Sequence, residues 1–104
     1  MLGFSVAAKL VGESRTEGVD ISAALGPSDV LASATATCAV YSGVDSSPSA
    51  VVGTPTIDSN YNLVYLPLTA GVAGCLYQIV LTVTLASGSQ KTFTTFLAVV
   101  PDAV

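Results

Sequence analysis

The chain has 104 residues, of which 51% are hydrophobic and 10% are charged, and its formal net charge is −4 at pH 7. This length predicts one domain with a modest core, and the acidic balance argues against a nucleic-acid partner, since binding a phosphate backbone requires clustered Lys and Arg. His is absent and there are two Cys, so the usual catalytic bases, zinc ligands and nucleophile–base pairs are mostly missing. We therefore expect a protein that is not an enzyme, with no catalytic, cofactor-binding or metal-binding residues, no cofactor and no small-molecule substrate.

Residues 1–17 show only a weak strand pattern. Two interpretations stay open for them: a first strand followed by a flexible linker, or an arm that becomes ordered on a neighbouring subunit. Lys9 follows the apolar start of the chain rather than preceding it, which does not fit a secretory signal, and no run of about 20 apolar residues predicts a transmembrane helix. We expect synthesis in the cytoplasm with free thiols, no membrane partner, and a folded domain over residues 18–104.

The middle of the chain predicts a series of strands. Residues 18–25 form a candidate strand that ends at the turn 26–29. Residues 30–41 alternate strictly, with Ala34, Ala36, Cys38 and Val40 on the face predicted to be buried. Residues 42–49 read as an exposed polar loop, residues 50–57 as an edge strand or bulge because of Gly53 and Pro55, and residues 62–69 as a strand after the turn 58–62.

The last quarter of the chain predicts a long antiparallel hairpin. In residues 75–86 the inward positions are apolar and the opposite face carries Gln78, Thr82 and Thr84. The turn 87–89 leads into a final strand over residues 90–100. Six or seven short strands at this spacing predict an all-β fold, an immunoglobulin-like antiparallel β-sandwich of about seven strands with an N-terminal arm, or a small barrel as the alternative.

The sandwich assigns roles to Tyr77 and the two cysteines. Tyr77 is predicted to form a tyrosine corner, with a buried ring and a hydroxyl bonded to nearby backbone. With residues 30–41 as strand B and 75–86 as strand F, Cys38 and Cys75 lie several residues apart along the strands, too far for a disulfide within the chain. Cys38 is then a small core residue and Cys75 a thiol in a turn, with a bond between chains left open.

Other patterns that could indicate chemistry have structural explanations. The seven carboxylates are spread too widely for a calcium loop, and Ser14 and Ser22 have no His to activate them. The segment 71–74 lacks the Lys-Ser/Thr of a phosphate-binding loop and leads into a strand. A tight connection between strands is the expected structure there.

Several short motifs occur together in this chain: Gly71-x-Ala73-Gly74-x-x-Tyr77, alternating Ile79, Leu81 and Val83, the Ser87-Gly88 turn, and a last strand ending Phe96-x-Ala98-x-Val100. Upstream of them are Val19-Asp20-Ile21-Ser22, Leu25, Asp29 and the stretch 32–37. On these residues, about 18–100, the chain resembles a family of small bacteriophage virion proteins described as fibre-tail adaptor or minor structural proteins. The family commonly has Trp in the place of Ala36, an aromatic residue after Ser22, and a shorter strand before the Gly71 turn. Without that Trp the core must be filled differently, with Tyr65 and Phe93 as candidates.

The resemblance implies a virion structural protein, an assembly module of the tail or neck that links tail fibres to the tail body. Other virion proteins are then the partners, a symmetric homo-oligomer in the particle is expected, and the protein is assembled in the bacterial host cytoplasm. An unprotected edge of the last hairpin is expected to favour strand addition, and residues 1–17 and 101–104 are expected to dock on partners.

Two alternatives remain at this stage. One is a capsid decoration or head-fibre protein. The other is a module that binds host-surface carbohydrate, for which exposed Tyr41, Tyr61 or Tyr65 would be needed.

Overall fold

The computed structural model of the chain describes residues 2–3, 6, 8–26 and 29–101. Eight strand segments occur in chain order: β1 (Leu2–Gly3), β2 (Lys9–Leu10), β3 (Arg15–Asp20), β4 (Leu31–Ser42), β5 (Thr56–Asp58), β6 (Leu63–Leu68), β7 (Leu76–Leu85) and β8 (Gln90–Val100). Two short 3-10 helices, Ser22–Ala24 and Pro48–Val51, lie in the connections. Residues 27–28 of the predicted turn fall outside the described residues, and so do residues 102–104 of the C-terminal segment that is expected to dock on partners.

The strands form two sheets that pack face to face as a sandwich. The large sheet has the order β1-β8-β7-β4, with β2 also on β8, and the small sheet has the order β3-β6-β5. Segments β1 and β2 both pair parallel with β8, at Phe93–Thr94 and at Val99–Val100, respectively. They therefore occupy one strand position, and the sandwich has seven strand positions. The predicted all-β, immunoglobulin-like sandwich is confirmed, and every pair outside this first position is antiparallel.

The core follows the alternation that the sequence predicts. Along β7 the inward side chains are all buried, with at most 2% exposure, and β6 buries Val64, Leu66 and Leu68 in the same way. These side chains join two clusters, one around Tyr77 and one around Leu81. Phe93 fills part of the second cluster, as expected, whereas Tyr65 alternates away from the core and is only half-buried.

The strand alignment predicted for β4 is wrong. It pairs directly with β7 in one sheet, from Leu31 opposite Leu85 to Ser42 opposite Leu76, so it occupies the position of strand C rather than strand B. The strand B position belongs to β3, which pairs with β6. The period-two pattern of β3 is hidden because Arg15 and Glu17 share the inward-facing register with Val19, the one buried residue of this strand.

Two other boundaries differ from those predicted. The strand predicted over residues 18–25 lies earlier in the chain: β3 spans Arg15–Asp20, with Arg15 already paired with Leu68, and Ser22–Ala24 form a short 3-10 helix. Residues 50–57 do not form one strand: Val52 makes an isolated bridge to Leu68, and only residues 56–58 join the sheet. Gly53 and Pro55 lie in the irregular stretch between Val52 and β5. Pro55 has no backbone N–H to donate, and outside a strand this breaks no hydrogen bond of the sheet.

Candidate functional site

The most distinctive surface is the side of the large sheet that faces away from the small sheet, here called the outer face. Sixteen side chains of three strands point to it, and none is charged. They are Ser33, Thr35, Thr37, Ala39 and Tyr41 of β4, Leu76, Gln78, Val80, Thr82 and Thr84 of β7, and Gln90, Thr92, Thr94, Phe96, Ala98 and Val100 of β8. Alternation along strands whose other side is buried in the core places them there.

The outer face has a polar half and an apolar half. Toward the β7–β8 turn, Thr35, Thr82 and Thr92 stand side by side across the three strands. Toward the other end, the rings of Tyr41 and Phe96 meet edge to face with centroids 4.9 Å apart. Tyr41 is 64% exposed and Phe96 is 45% exposed, so this aromatic pair offers apolar surface to solvent.

A groove runs along the open edge of the large sheet. Five consecutive residues of β4, 34–38, line one wall, and Ser49 and residues 52–55 line the other; the groove has a volume of about 430 Å³ and is open to solvent. Because consecutive residues of a strand point to opposite faces, a groove lined by all five follows the edge of the strand. The edge predicted to be open was that of the last hairpin, and this is corrected: β7 is paired with β4, and β8 is partly covered by β1 and β2.

Tyr77 joins two loops at the apolar end of the sandwich. Its ring is fully buried, its hydroxyl accepts a hydrogen bond from the Val72 N–H at 2.7 Å, and it donates to the Asp45 carboxylate at 2.7 Å. The predicted tyrosine corner is confirmed. The bond from Tyr77, with a second from the Ser47 N–H, holds the pKa of Asp45 below its usual value, and burial raises the pKa of Tyr77.

The two cysteines are free, as predicted. Cys38 is opposite Ile79, four residues beyond Cys75, so at about 3.3 Å per residue the thiols are well beyond disulfide range. Burial raises the pKa of Cys38 to about 11, which keeps this thiol protonated and unreactive at neutral pH. The Sγ of Cys75 packs under Gly43, where a Cβ would lie 2.7 Å from it.

Residues 8–17 are tied to the body of the same chain. Lys9 is fully buried and its Nζ donates to the carbonyl of Ala70 at 2.7 Å and to that of Leu10 at 3.1 Å. Arg15 forms ion pairs with Glu13 and Glu17 and donates to the carbonyl of Ala8. In this chain, the part of the arm from residue 8 onward therefore forms contacts within its own subunit.

Two of the tyrosines considered for carbohydrate binding, Tyr41 and Tyr61, lie at opposite ends of the sandwich. Tyr41 lies at the end of β4 beside Leu76, whereas Tyr61 precedes β6, whose residue Val64 packs in the cluster with Leu31 and Leu85 at the opposite end. Tyr61 is 71% exposed. A single aromatic platform built from these residues is not present.

Within residues 2–3, 6, 8–26 and 29–101, no group of three His, Cys, Asp or Glu side chains could hold a metal ion. Among the same residues, no helix has the length and apolar character that would let it cross a membrane. Three carboxylates have lowered pKa values because they accept hydrogen bonds from backbone N–H or hydroxyl groups: Asp20 from Ser22, Asp29 from Ser87 and Asp45 from Tyr77.

Two features of these surfaces were not predicted from the sequence. The burial of Lys9 has no local signal, because its acceptor Ala70 is 61 residues away. The partnership of Asp45 with Tyr77 spans 32 residues. The uncharged faces of the three strands, in contrast, are expected from the sequence, because every second residue lacks charge; the pairing of β4, β7 and β8 in one sheet joins these faces into one surface.

Comparison with protein-family models and with curated proteins finds no match to this chain.

Proposed function

We propose that the chain is a bacteriophage virion structural protein, a non-enzymatic assembly module of the tail or neck that links tail fibres to the tail body. The observation that carries the proposal is the outer face, where sixteen positions on three strands lack charge and an aromatic pair is exposed. Protein interfaces are depleted of charged residues at their centre and enriched in aromatic residues. A surface of this kind supports permanent packing against other proteins.

The remaining support is the resemblance of residues 18–100 to small phage virion proteins and the immunoglobulin-like sandwich that it implies. Other virion proteins are the proposed partners, and the virion is the proposed location. The open edge of β4 supplies a second way to bind them, because an unpaired strand can accept an added strand. No charge or Pro interrupts β4, although both are common devices that protect edges.

Peptide mass spectrometry on purified particles, with isotope-labelled standards, tests this function. The proposal expects the chain in the particle at a copy number that fits a symmetric ring at the tail or neck. A copy number close to that of the major capsid protein would support capsid decoration instead. Absence from washed particles would overturn the proposal.

A carbohydrate-binding module is the second candidate, favoured by the exposure of Tyr41 beside Phe96. Binding of the isolated protein to a glycan array, lost in Tyr41→Ala, would support this candidate over an assembly role.

A further inference from the structure

We infer that the outer face is a self-association surface that packs against the outer face of a second copy of this chain. The inference rests on the proposed role of this face as a contact surface and names its first partner.

Charge favours a second copy on this face over contact elsewhere. Each copy carries a net charge of −4, so two copies repel wherever their carboxylates approach one another. The described charged residues are on the N-terminal segment, in β3, in the loops and at strand ends, and none points to the outer face. Contact through the outer face therefore keeps the carboxylates out of the interface.

The polar groups of the face are self-complementary. Its polar side chains are the hydroxyls of Ser, Thr and Tyr and the amides of Gln78 and Gln90, and each of these groups both donates and accepts hydrogen bonds. Such a surface can therefore pair with an identical copy without placing donor against donor or acceptor against acceptor. At the apolar half, Tyr41 and Phe96 already pack edge to face, a geometry that rings from two copies can extend.

The area is sufficient for a weak, specific dimer. Strand β7 has ten residues, so at about 3.3 Å per residue and about 4.8 Å between strands, three strands present a flat area of roughly 500 Å². Two copies then bury roughly 1,000 Å², which is near the lower limit for a specific interface. Face-to-face packing of twisted sheets is a common arrangement, with strand directions about 30° apart, and the two-fold symmetry makes the contact identical on both copies.

The test is sedimentation velocity of the full chain over a concentration series from about 1 µM to about 500 µM, the range in which a weak dimer dissociates. The unsubstituted chain is expected to shift from monomer to dimer as concentration rises. Phe96→Lys places a charge in the centre of the contact and should raise the dissociation constant roughly tenfold or more. Because Lys moves the net charge toward zero, general repulsion between copies cannot explain such a loss.

The matched control is Tyr61→Lys, which places the same charge on an exposed aromatic residue in the turn between β5 and β6 of the small sheet: Tyr61 is 71% exposed and Phe96 is 45% exposed. A second pair, Thr94→Lys on the outer face and Thr16→Lys on the small sheet, repeats the comparison without loss of an aromatic ring. Circular dichroism checks that each variant is folded, and the Thr pair decides the result if Phe96→Lys does not fold.

Dimerisation that both outer-face variants weaken and both controls preserve would support the inference. A monomer throughout the series, or a dimer that the outer-face variants leave intact or the controls also weaken, would overturn it. These failures are distinct from failure of the virion role, because a monomeric chain found in particles leaves that role standing, and a dimer absent from particles removes it.

Discussion

At the scale of single residues, Tyr77 is the side chain that fixes the apolar end of the sandwich. Its hydroxyl lies between the Val72 N–H and the Asp45 carboxylate, and so it connects the loop before β7 with the loop after β4. A buried tyrosine that satisfies both groups lets these loops pack closely, and Gly43 then sits against Cys75 where no Cβ would fit. Tyr41, whose exposed ring packs against Phe96, lies two residues before Gly43 at the end of β4.

Tyr77→Phe should lower the free energy of unfolding by about 2 kcal/mol, because it removes one hydrogen bond to a charged group and leaves a backbone N–H without its acceptor. Chemical denaturation monitored by circular dichroism measures the change. Tyr61→Phe is the matched control, since that residue is mostly exposed and its substitution should leave stability nearly unchanged. Equal effects of the two substitutions would contradict the role assigned to Tyr77.

Acid should destabilise the fold through three carboxylates. Hydrogen bonds from Ser22, Ser87 and Tyr77 lower the pKa values of Asp20, Asp29 and Asp45, respectively, below the ordinary value of 3.8. A carboxyl whose pKa is lower in the folded state stabilises the fold above its unfolded pKa, and this contribution is lost as pH falls through the folded value. We expect the thermal midpoint to stay level from pH 7 to about 4.5 and to fall below about pH 4.

Asp29→Asn separates this effect from general acid unfolding. The variant should be less stable at pH 7, because the charged acceptor of the Ser87 hydroxyl and N–H is lost. Its thermal midpoint should also decline less steeply below pH 4. A variant with the same acid slope as the unsubstituted chain would count against the contribution of Asp29.

At the scale of elements, β4 combines a buried face, an uncharged outer face and an open edge. Its inward side chains near the middle, Ala34 and Ala36, are small and remain half-buried. Ala36 packs against both core clusters and also lines the edge groove. The small side chain at this position therefore leaves open the groove that larger residues could fill.

Ala36→Val should raise the free energy of unfolding by up to about 1 kcal/mol, because the added methyl groups enter the groove and become buried against both clusters. Ala39→Val on the same strand is the control that separates groove filling from the general preference of Val for strands. Ala39 points to the outer face, so this control receives the same gain in strand propensity without groove filling. A larger stabilisation for Ala36→Val supports the geometry of the groove, and a loss of stability would indicate that the groove is too narrow there.

The elements with a clean alternation could be predicted from the sequence. In β7 and in the bulge-free part of β4, apolar and polar residues alternate because one face is buried, and the inward residues of both strands were identified. Strand β3 could not be delimited, because Arg15 and Glu17 satisfy their charges with one another at the edge of the sandwich. The pairing of β4 with β7 is a matter of topology, which the alternation of each strand alone does not encode.

The candidate surfaces were predicted less completely than the strands. Tyr77 could be placed because a tyrosine at the start of this strand is typical of the sandwich. Its partner Asp45, the buried Lys9 and the groove depend on contacts between residues far apart in sequence. The outer face follows from the strands only when β4, β7 and β8 are known to be neighbours in one sheet.

At the scale of the whole molecule, the chain is an elongated sandwich with overall extents of 48 × 22 × 19 Å. One broad side, the outer face, is uncharged, whereas the described charged side chains lie on the N-terminal segment, the small sheet, the loops and the strand ends. The few charges of the sequence are therefore kept off this side of the sandwich. A broad uncharged surface with an exposed aromatic pair is suited to packing against other proteins.

We propose that this protein is built into a virion through its outer face. The most direct measurement is the copy number of the chain in particles assembled with Phe96→Lys, compared with particles assembled with the control Tyr61→Lys, by peptide mass spectrometry. We expect Phe96→Lys to be strongly depleted from particles while Tyr61→Lys is incorporated like the unsubstituted chain. Incorporation of folded Phe96→Lys at the normal copy number would contradict this proposal.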